Sequence, residues 1–331
     1  MRLARHLVRW LGRRAPGAQP FQPPGIRATY ADLLKLRAQV SRPALPPGQA
    51  AERPGGERAF RRGQGLEPEE ARLYQPGDDP RAIDWPVSAR TGRIHVRLFR
   101  EPRERPRILV TDLGPHMAFG TRGAFKSVAA ARAVALLAWE GVESGDPVGA
   151  VLIGGGPRSL EHRLRLGEAG VRGILRGLER GTAAVAGDPP APPPADGLAE
   201  GLARAARLAP GGSRVVVLSD FAGLGDKAAG RLERLGARCR LALVAVHDPL
   251  ERELPPPGRY PLGAGGETLV LSTGGSRRRA AYRARFDEHR ERLARLARRQ
   301  GGSMVALATD APLVATLRQG ILSPSRGAAV G

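Results

Sequence analysis

Ile108-Leu109-Val110-Thr111-Asp112, followed by the turn-forming Gly114-Pro115 and an Ala- and Leu-rich run over 124–143, reads as a buried strand feeding a long helix. The apolar run recurs at 148–153, where Gly154-Gly155-Gly156 stops it, and again at 214–218 and 239–246. Helical patterns over 167–178, 198–208 and 228–235 separate these runs. Short, continuously apolar strands alternating with helices require crossover connections. They therefore predict an α/β fold: a mostly parallel sheet with helices on both faces and right-handed crossovers. Further on, 268–271 is strand-like and 277–299 forms a long basic helix with Tyr282, Phe286, Leu293 and Leu296 at helical spacing. Residues 304–308 return as a last strand, and a helix over 313–317 follows. The proline-rich 187–194 is a surface loop, because proline cannot join a sheet ladder.

Upstream the pattern is looser. Residues 1–28 are a basic tail in which Leu3, Leu7, Trp10 and Leu11 share a helical face among arginines. This suits either a frayed helix or peripheral contact with an anionic membrane. Residues 29–106 form an N-terminal elaboration. It opens with a helix over 29–40 that turns Leu33, Leu34 and Leu36 inward, and continues through an irregular Pro-, Gly- and Arg-rich segment at 43–65. The α/β domain then spans 107–320, with a tail at 321–331. No apolar stretch approaches the ~20 residues that a bilayer-spanning helix needs. The absence of a secretory pattern points to a cytoplasmic protein.

The 331 residues carry a net charge of +21, yet 50 of the 53 basic residues are arginine, beside abundant Ala, Gly and Pro. That composition reflects coding bias more than selection for a polyanionic partner. The excess sits at the ends: 1–107 carries +11, 108–250 carries +3 and 251–331 carries +7. Aromatic residues make up 4%, which leaves few platforms for stacking bases. The basic helix reads as a solvated face rather than a phosphate reader. The lone cysteine, Cys239, excludes a disulfide framework or a cysteine-built metal centre and reads as a small buried residue. The glycines at 154–156 lack the Gly-Lys-Ser/Thr of a phosphate-cradling loop, no G-x-S-x-G elbow occurs, and the six histidines show no H-E-x-x-H spacing.

Two features carry chemistry. Asp112 and Asp220 each follow an apolar strand, where the crevice of an open α/β sheet lies. Together they could hold a hard cation such as Mg²⁺; separately, each could cap a helix or bond a loop amide. The second feature is the block Arg72, Tyr74, Gly77, Asp78, Arg81, Asp84, Trp85 and Arg90. It reads as a structural or interface knot in which Arg forks clamp carboxylates and Trp85 and Tyr74 bury most of their area. The block lacks a nucleophile, and His95 lies on a strand-like run over 93–99.

In this order, residues 72–90, Asp112 with Met117-Ala-Phe-Gly120, Lys126, residues 145–149, Leu218-Ser-Asp220-Phe221 and His247-Asp-Pro-Leu-Glu251 resemble the DUF58 family over about 29–320. The resemblance implies a von Willebrand factor A-like (Rossmann-like) domain in a short form without membrane spans. It also implies partnership with a MoxR-type AAA+ ATPase, or other von Willebrand factor A-like proteins, in maturing protein complexes. The metal site of that fold uses D-x-S-x-S, a Thr and an Asp. Here the first element reads Asp112-Leu-Gly114-Pro-His116, the Thr place falls at Thr182 or near Asp196, and Asp220 matches the last Asp. Gly114 offers no side-chain oxygen and His116 suits softer metals. The resemblance thus implies a degenerate MIDAS-like rim of Asp112, Gly114, His116, Asp196 and Asp220, binding Mg²⁺ weakly or not at all, with no other cofactor.

The expected function is a non-enzymatic, protein-binding adaptor docking through this rim. The alternatives are a metal-dependent hydrolase at Asp112 and Asp220, or a binder of nucleic acid or anionic membrane through the basic ends; no specific nucleic acid is indicated.

Overall fold

The computed structural model describes residues 25–40, 67–76, 78–80, 83–100, 105–154, 160–186, 196–264 and 267–322. Residues 1–24 of the basic tail, the irregular segment at 43–65 and the proline-rich loop at 187–194 lie outside the described residues. The chain divides into two compact units, Met1–Arg42 with Arg105–Gly331, and Pro43–Glu104.

Helix α1 (Tyr30–Lys35) is capped by Thr29, whose hydroxyl oxygen accepts the Asp32 N–H, and tightens into a 3₁₀ turn over Leu36–Gln39. Leu33 and Leu36 are buried, but Leu34 is exposed, contrary to the inward position the sequence suggests. Residues three apart share a helical face, whereas Leu34 lies about 100° around from Leu33. Residues 29–40 belong with the sheet and not with the 29–106 elaboration. Ala28 N–H donates to Thr182 Oγ1, Tyr30 N–H to Glu179, and the indole of the fully buried Trp139 to Leu33 O. At the other end Ile321, placed in the tail by sequence, is buried in the same core.

In the smaller unit, β1 (Glu67–Leu73) pairs antiparallel with β2 (His95–Arg100), placing Leu73 opposite His95. Between them α2 (Trp85–Thr91) starts at Asp84, whose carboxylate accepts Val87 N–H, and ends at Gly92 with φ 70. Asp78 accepts the Gln75 N–H, so both aspartates of the block hold local turns. Tyr74 is half-buried. Trp85 is 67% exposed, which corrects the expectation that it buries most of its area: as first residue of α2 it projects from the helix end. Arg90 is exposed; Gly77, Arg81 and the Arg72 side chain lie outside what is described.

The larger unit is built on β3 (Arg107–Asp112), β4 (Val148–Ile153), β5 (Leu160–Arg165), β6 (Arg214–Ser219), β7 (Arg240–His247) and, after a hairpin of β8 (Arg259–Ala264) and β9 (Glu267–Ser272), β10 (Ser303–Ala308). The sheet order is β10-β7-β6-β3-β4-β5, parallel throughout except for β5, which runs antiparallel at the edge. This is the mostly parallel α/β sheet with surrounding helices that the sequence predicts. The intervening helices are α3 (Lys126–Glu143), α4 (Glu168–Ala186), α5 (Gly197–Leu208), α6 (Asp226–Gly236), the short α7 (Pro249–Arg252), α8 (Ser276–Arg299) and α9 (Leu313–Leu317). Alternate strand residues feed two cores. Leu109, Val216 and Val244 pack with α3 and α4, while Ile108, Val110, Val217 and Leu243 pack with α5, α6 and Leu293 of α8.

The chain leaves β3 toward β4 on one side and returns to β6 on the other. The strand order therefore reverses between β3 and β6, and a crevice opens beyond their carboxyl ends. At the opposite end the buried Arg107 is clamped by Asp146, at 2.8 Å, and Glu140. Gly149 lets β5 come close, since a Cβ there would stand 2.9 Å from His162 O.

If residues 25–40 are part of the sheet unit, Leu33→Ala opens a core cavity and lowers unfolding stability by about 2–5 kcal/mol. Urea denaturation followed by circular dichroism reads this, whereas a detached segment gives a change below about 0.5 kcal/mol.

Candidate functional site

Asp112 ends β3, and Asp220 follows the last residue of β6, so the pairing of these two strands brings the carboxylates together. Asp112 is almost wholly buried. Its Oδ1 accepts the Gly114 N–H at 2.9 Å; its Oδ2 accepts from Ser219 Oγ at 2.8 Å and pairs with His116 Nε2 at 2.9 Å. Gly114 thus contributes its backbone and leaves room for the imidazole, because a Cβ there would stand 2.7 Å from His116 Cε1. His116 Nε2 also lies 3.6 Å from Asp220 Oδ1. Single atoms of Asp112, His116 and Asp220 all fall within 4.8 Å of one another.

Asp220 is placed by an unusual backbone. Phe221, fully buried, takes φ 55, a conformation costly for a bulky residue. Phe221 N–H donates to Ser219 Oγ and Ala222 N–H to Asp220 Oδ1, and these bonds hold the strained turn. On the far side, His289 Nε2 of α8 lies 3.2 Å from Asp220 O.

The sequence reading placed Lys126 among the family motifs but gave it no role in the site. Lys126, first residue of α3 and 2% exposed, donates from Nζ to Asp220 Oδ2 at 2.7 Å and to Glu251 Oε1 at 2.6 Å. The Phe119 ring lies 5.9 Å from the same ammonium. Glu251 is held in turn: its other oxygen accepts Asp248 N–H, closing a capping box at α7. The wholly buried Asp248 accepts from Thr121 N–H, Thr121 Oγ1, Leu250 N–H and Thr309 Oγ1. This binds the loop before α3 to the carboxyl ends of β7 and β10.

Two further expected site residues stand apart from this cluster. Asp196 stands at the start of α5 and forms an exposed pair with Lys227 at 2.8 Å, outside the Asp112–Asp220 cluster. Thr182 lies inside α4 and spends its hydroxyl on the backbone of Ala28 and Glu179, because α4 runs on through 186.

A Mg²⁺ site of the von Willebrand A kind does not fit these residues. Such an ion wants hard oxygens at about 2.0–2.1 Å. Here the two serine positions hold Gly114 and His116, both oxygens of Asp112 are bonded within the chain, and a buried ammonium already lies against Asp220. Nucleophilic chemistry is equally poorly served. The hydroxyl that touches Asp112 belongs to Ser219, which is buried and engaged as both donor and acceptor.

The groups tune one another. Burial pushes the Asp112 carboxyl up, but the His116 hydrogen bond and charge, with Gly114 N–H and Ser219, outweigh it and hold the group below its ordinary range. For His116, burial favours the neutral ring, yet the hydrogen bond and charge of Asp112 and the charge of Asp220 raise it above 6.5. Lys126 is likewise raised: Asp220 and Glu251 overcome the desolvation of its ammonium. Imidazolium is thus favoured more in the folded chain than in the unfolded one. Its stabilising contribution is complete below about 6.5 and fades as pH rises through the elevated folded value. Proton NMR titration of His116 should give a midpoint above 6.5, and Asp112→Asn should bring it down, since burial then opposes the charge with less compensation. An unchanged midpoint in Asp112→Asn would refute this pairing.

Comparison with known proteins agrees with the motifs. Residues 70–292 match the family described as Protein of unknown function DUF58. The chain is 33% identical over 271 residues to Uncharacterized protein Rv1480 of Mycobacterium tuberculosis (strain ATCC 25618 / H37Rv), covering 81% of this chain and 83% of that one. The same figures hold for Uncharacterized protein Mb1516 of Mycobacterium bovis. Among solved structures, the conserved hypothetical protein BatB from Bacteroides thetaiotaomicron aligns at 12% identity over 65% of this chain and 96% of its own, with a TM-score of 0.39. An aerotolerance-related membrane protein from Bacteroides fragilis NCTC 9343 aligns at 13% identity over 66% and 100%, with a TM-score of 0.41. Among the described residues no helix is long and apolar enough to cross a membrane. With the ordered motifs from Arg72 to Glu251 inside the matched region, the chain belongs to the DUF58 family.

Proposed function

We propose that the protein is a non-enzymatic docking module that engages a partner through the rim beyond β3 and β6. The observation that carries this reading is the internal commitment of the rim's polar groups. Asp112, Asp220, Lys126 and Ser219 bond one another or neighbouring backbone, which makes a rigid, preorganised surface rather than a set of groups poised to react. A hydrolase at Asp112 and Asp220 would need a reachable nucleophile or an activated water, and neither carboxylate has an uncommitted geometry for that role.

His116 at 39% and Glu251 at 32% side-chain exposure open this set to solvent, beside the exposed Ala222–Gly223 segment. A partner resting there contacts groups held by strand ends, so little ordering cost accompanies binding. Resemblance to the DUF58 family supports a MoxR-type AAA+ ATPase as that partner, in the cytoplasm, with the module linking the ATPase to complexes being matured or remodelled. The excess positive charge of the chain would speed encounter with acidic surfaces in a salt-dependent way.

Two exposed glycines at opposite ends of β6 provide the test. A Cβ at Gly223, on the rim, or at Gly211, at the other end, meets nothing within 4 Å, so a side chain can leave the backbone at either exposed place without an immediate clash. Gly223→Trp should reduce capture of the recombinant MoxR-type ATPase from the same organism by about tenfold, a loss of ~1.4 kcal/mol in binding, while Gly211→Trp retains it. Equal loss in both variants, or no capture by the unsubstituted protein, would remove support for rim docking.

A further inference from the structure

We propose that Lys126 is the resident cation of this rim: its ammonium takes the place that a divalent metal holds in a von Willebrand A site, and it is what keeps such a metal out. This stands whether or not the rim docks a partner.

Three carboxylates converge here: Asp112, Asp220 and Glu251. Left to themselves, so many buried or half-buried negative charges would repel one another and draw a cation. The chain supplies one covalently. Lys126 Nζ lies between Asp220 Oδ2 and Glu251 Oε1, at 2.7 and 2.6 Å, and its side chain is as buried as the core around it. Of the three lysines in the chain, the other two, Lys35 and Lys227, are 78% and 74% exposed. The remaining donors fit this reading. Serine hydroxyls, which a hard metal would use, are absent at 114 and 116, and the imidazole at 116 is turned to Asp112.

Removal of the ammonium has a defined consequence. It leaves Asp220 and Glu251 facing the vacated place with uncompensated charge, His116 and Asp112 beside them. Mg²⁺ or Mn²⁺ is commonly held by one or two carboxylates with water filling the other positions. Lys126→Ala, which opens room for an ion and its waters, should therefore convert a metal-indifferent protein into a metal-responsive one.

The probe is Mn²⁺ alone, read by thermal unfolding and by electron paramagnetic resonance of free Mn²⁺. The unsubstituted protein should show the same midpoint in millimolar Mn²⁺ as in EDTA and leave the Mn²⁺ signal undiminished. Lys126→Ala should unfold at a lower temperature in EDTA, recover part of the difference in Mn²⁺, and lose that recovery when Glu251→Gln is added. Lys126→Arg, which keeps a charge, should stay indifferent to Mn²⁺. In parallel, acetylation of the native protein by an amine-reactive ester, mapped by mass spectrometry, should modify Lys35 and Lys227 about tenfold or more faster than Lys126, whose ammonium is buried and hydrogen-bonded. Mn²⁺ binding by the unsubstituted protein that disappears in Asp220→Asn overturns the proposal. So does a folded Lys126→Ala that ignores Mn²⁺, or a Lys126 that reacts as fast as the other two. If Lys126→Ala folds in neither medium, the Mn²⁺ and acetylation results on the unsubstituted protein decide the matter.

Discussion

A buried ammonium cannot stand alone, and the architecture of the rim follows from what Lys126 needs. Desolvating one such charge costs several kcal/mol, and breaking a buried ion pair from one side costs about 3–5 kcal/mol. Lys126 is also the first residue of α3, at the positive end of the helix dipole, where a cation is disfavoured. Two carboxylates offset both penalties, and they come from separate elements: Asp220 from the end of β6, Glu251 from α7 beyond β7. The start of α3 and two strand ends are thereby fixed to one another by charge. The strained Phe221 conformation belongs to the same arrangement, since it turns the chain just where Asp220 must face Lys126.

A second buried anion does comparable work without a cation. Asp248 receives four hydrogen bonds, from Thr121, Leu250 and Thr309, and so is stabilised by donors rather than by an opposite charge. It lies three residues before Glu251 in the same capping box. One short motif, His247-Asp-Pro-Leu-Glu251, therefore fastens the loop preceding α3 with its first residues and holds the lysine with its last. The rim is a framework of cross-links between strand ends, which suits a surface that must present a fixed shape.

Much of the fold was legible because parallel strands buried on both faces must be continuously apolar. Residues 148–153 read directly as β4, and the pattern over 313–317 as α9. β5 was not legible. Its sequence, Leu-Glu-His-Arg-Leu-Arg, is charged because it forms an edge, and no periodicity distinguishes it from a loop. The α2 helix was hidden for a related reason: it is a short helix of about two turns started by a capping aspartate, with its tryptophan outside. In the site, Asp112 and Asp220 were legible from their place at strand ends. Lys126 was not, since its partners lie 94 and 125 residues further along the chain, and only the folded topology brings them near.

One signal in the sequence did point to that lysine. A chain with 50 arginines and 3 lysines fills nearly all its basic positions with arginine. Lys35 and Lys227 are surface residues, so rarity alone does not single one out; Lys126 differs in standing at a helix start followed by an apolar face. The ammonium is a compact point charge that can bridge two carboxylates arriving from different directions, whereas the guanidinium is a planar fork that needs its partners in one plane. If Lys126 is the resident cation proposed above, the lysine and the absence of serines at 114 and 116 go together. Once the positive charge is tethered to α3, hydroxyl ligands at 114 and 116 have nothing to coordinate. Position 114 is free to be the glycine that admits an imidazole, and position 116 to supply the imidazole that neutralises Asp112.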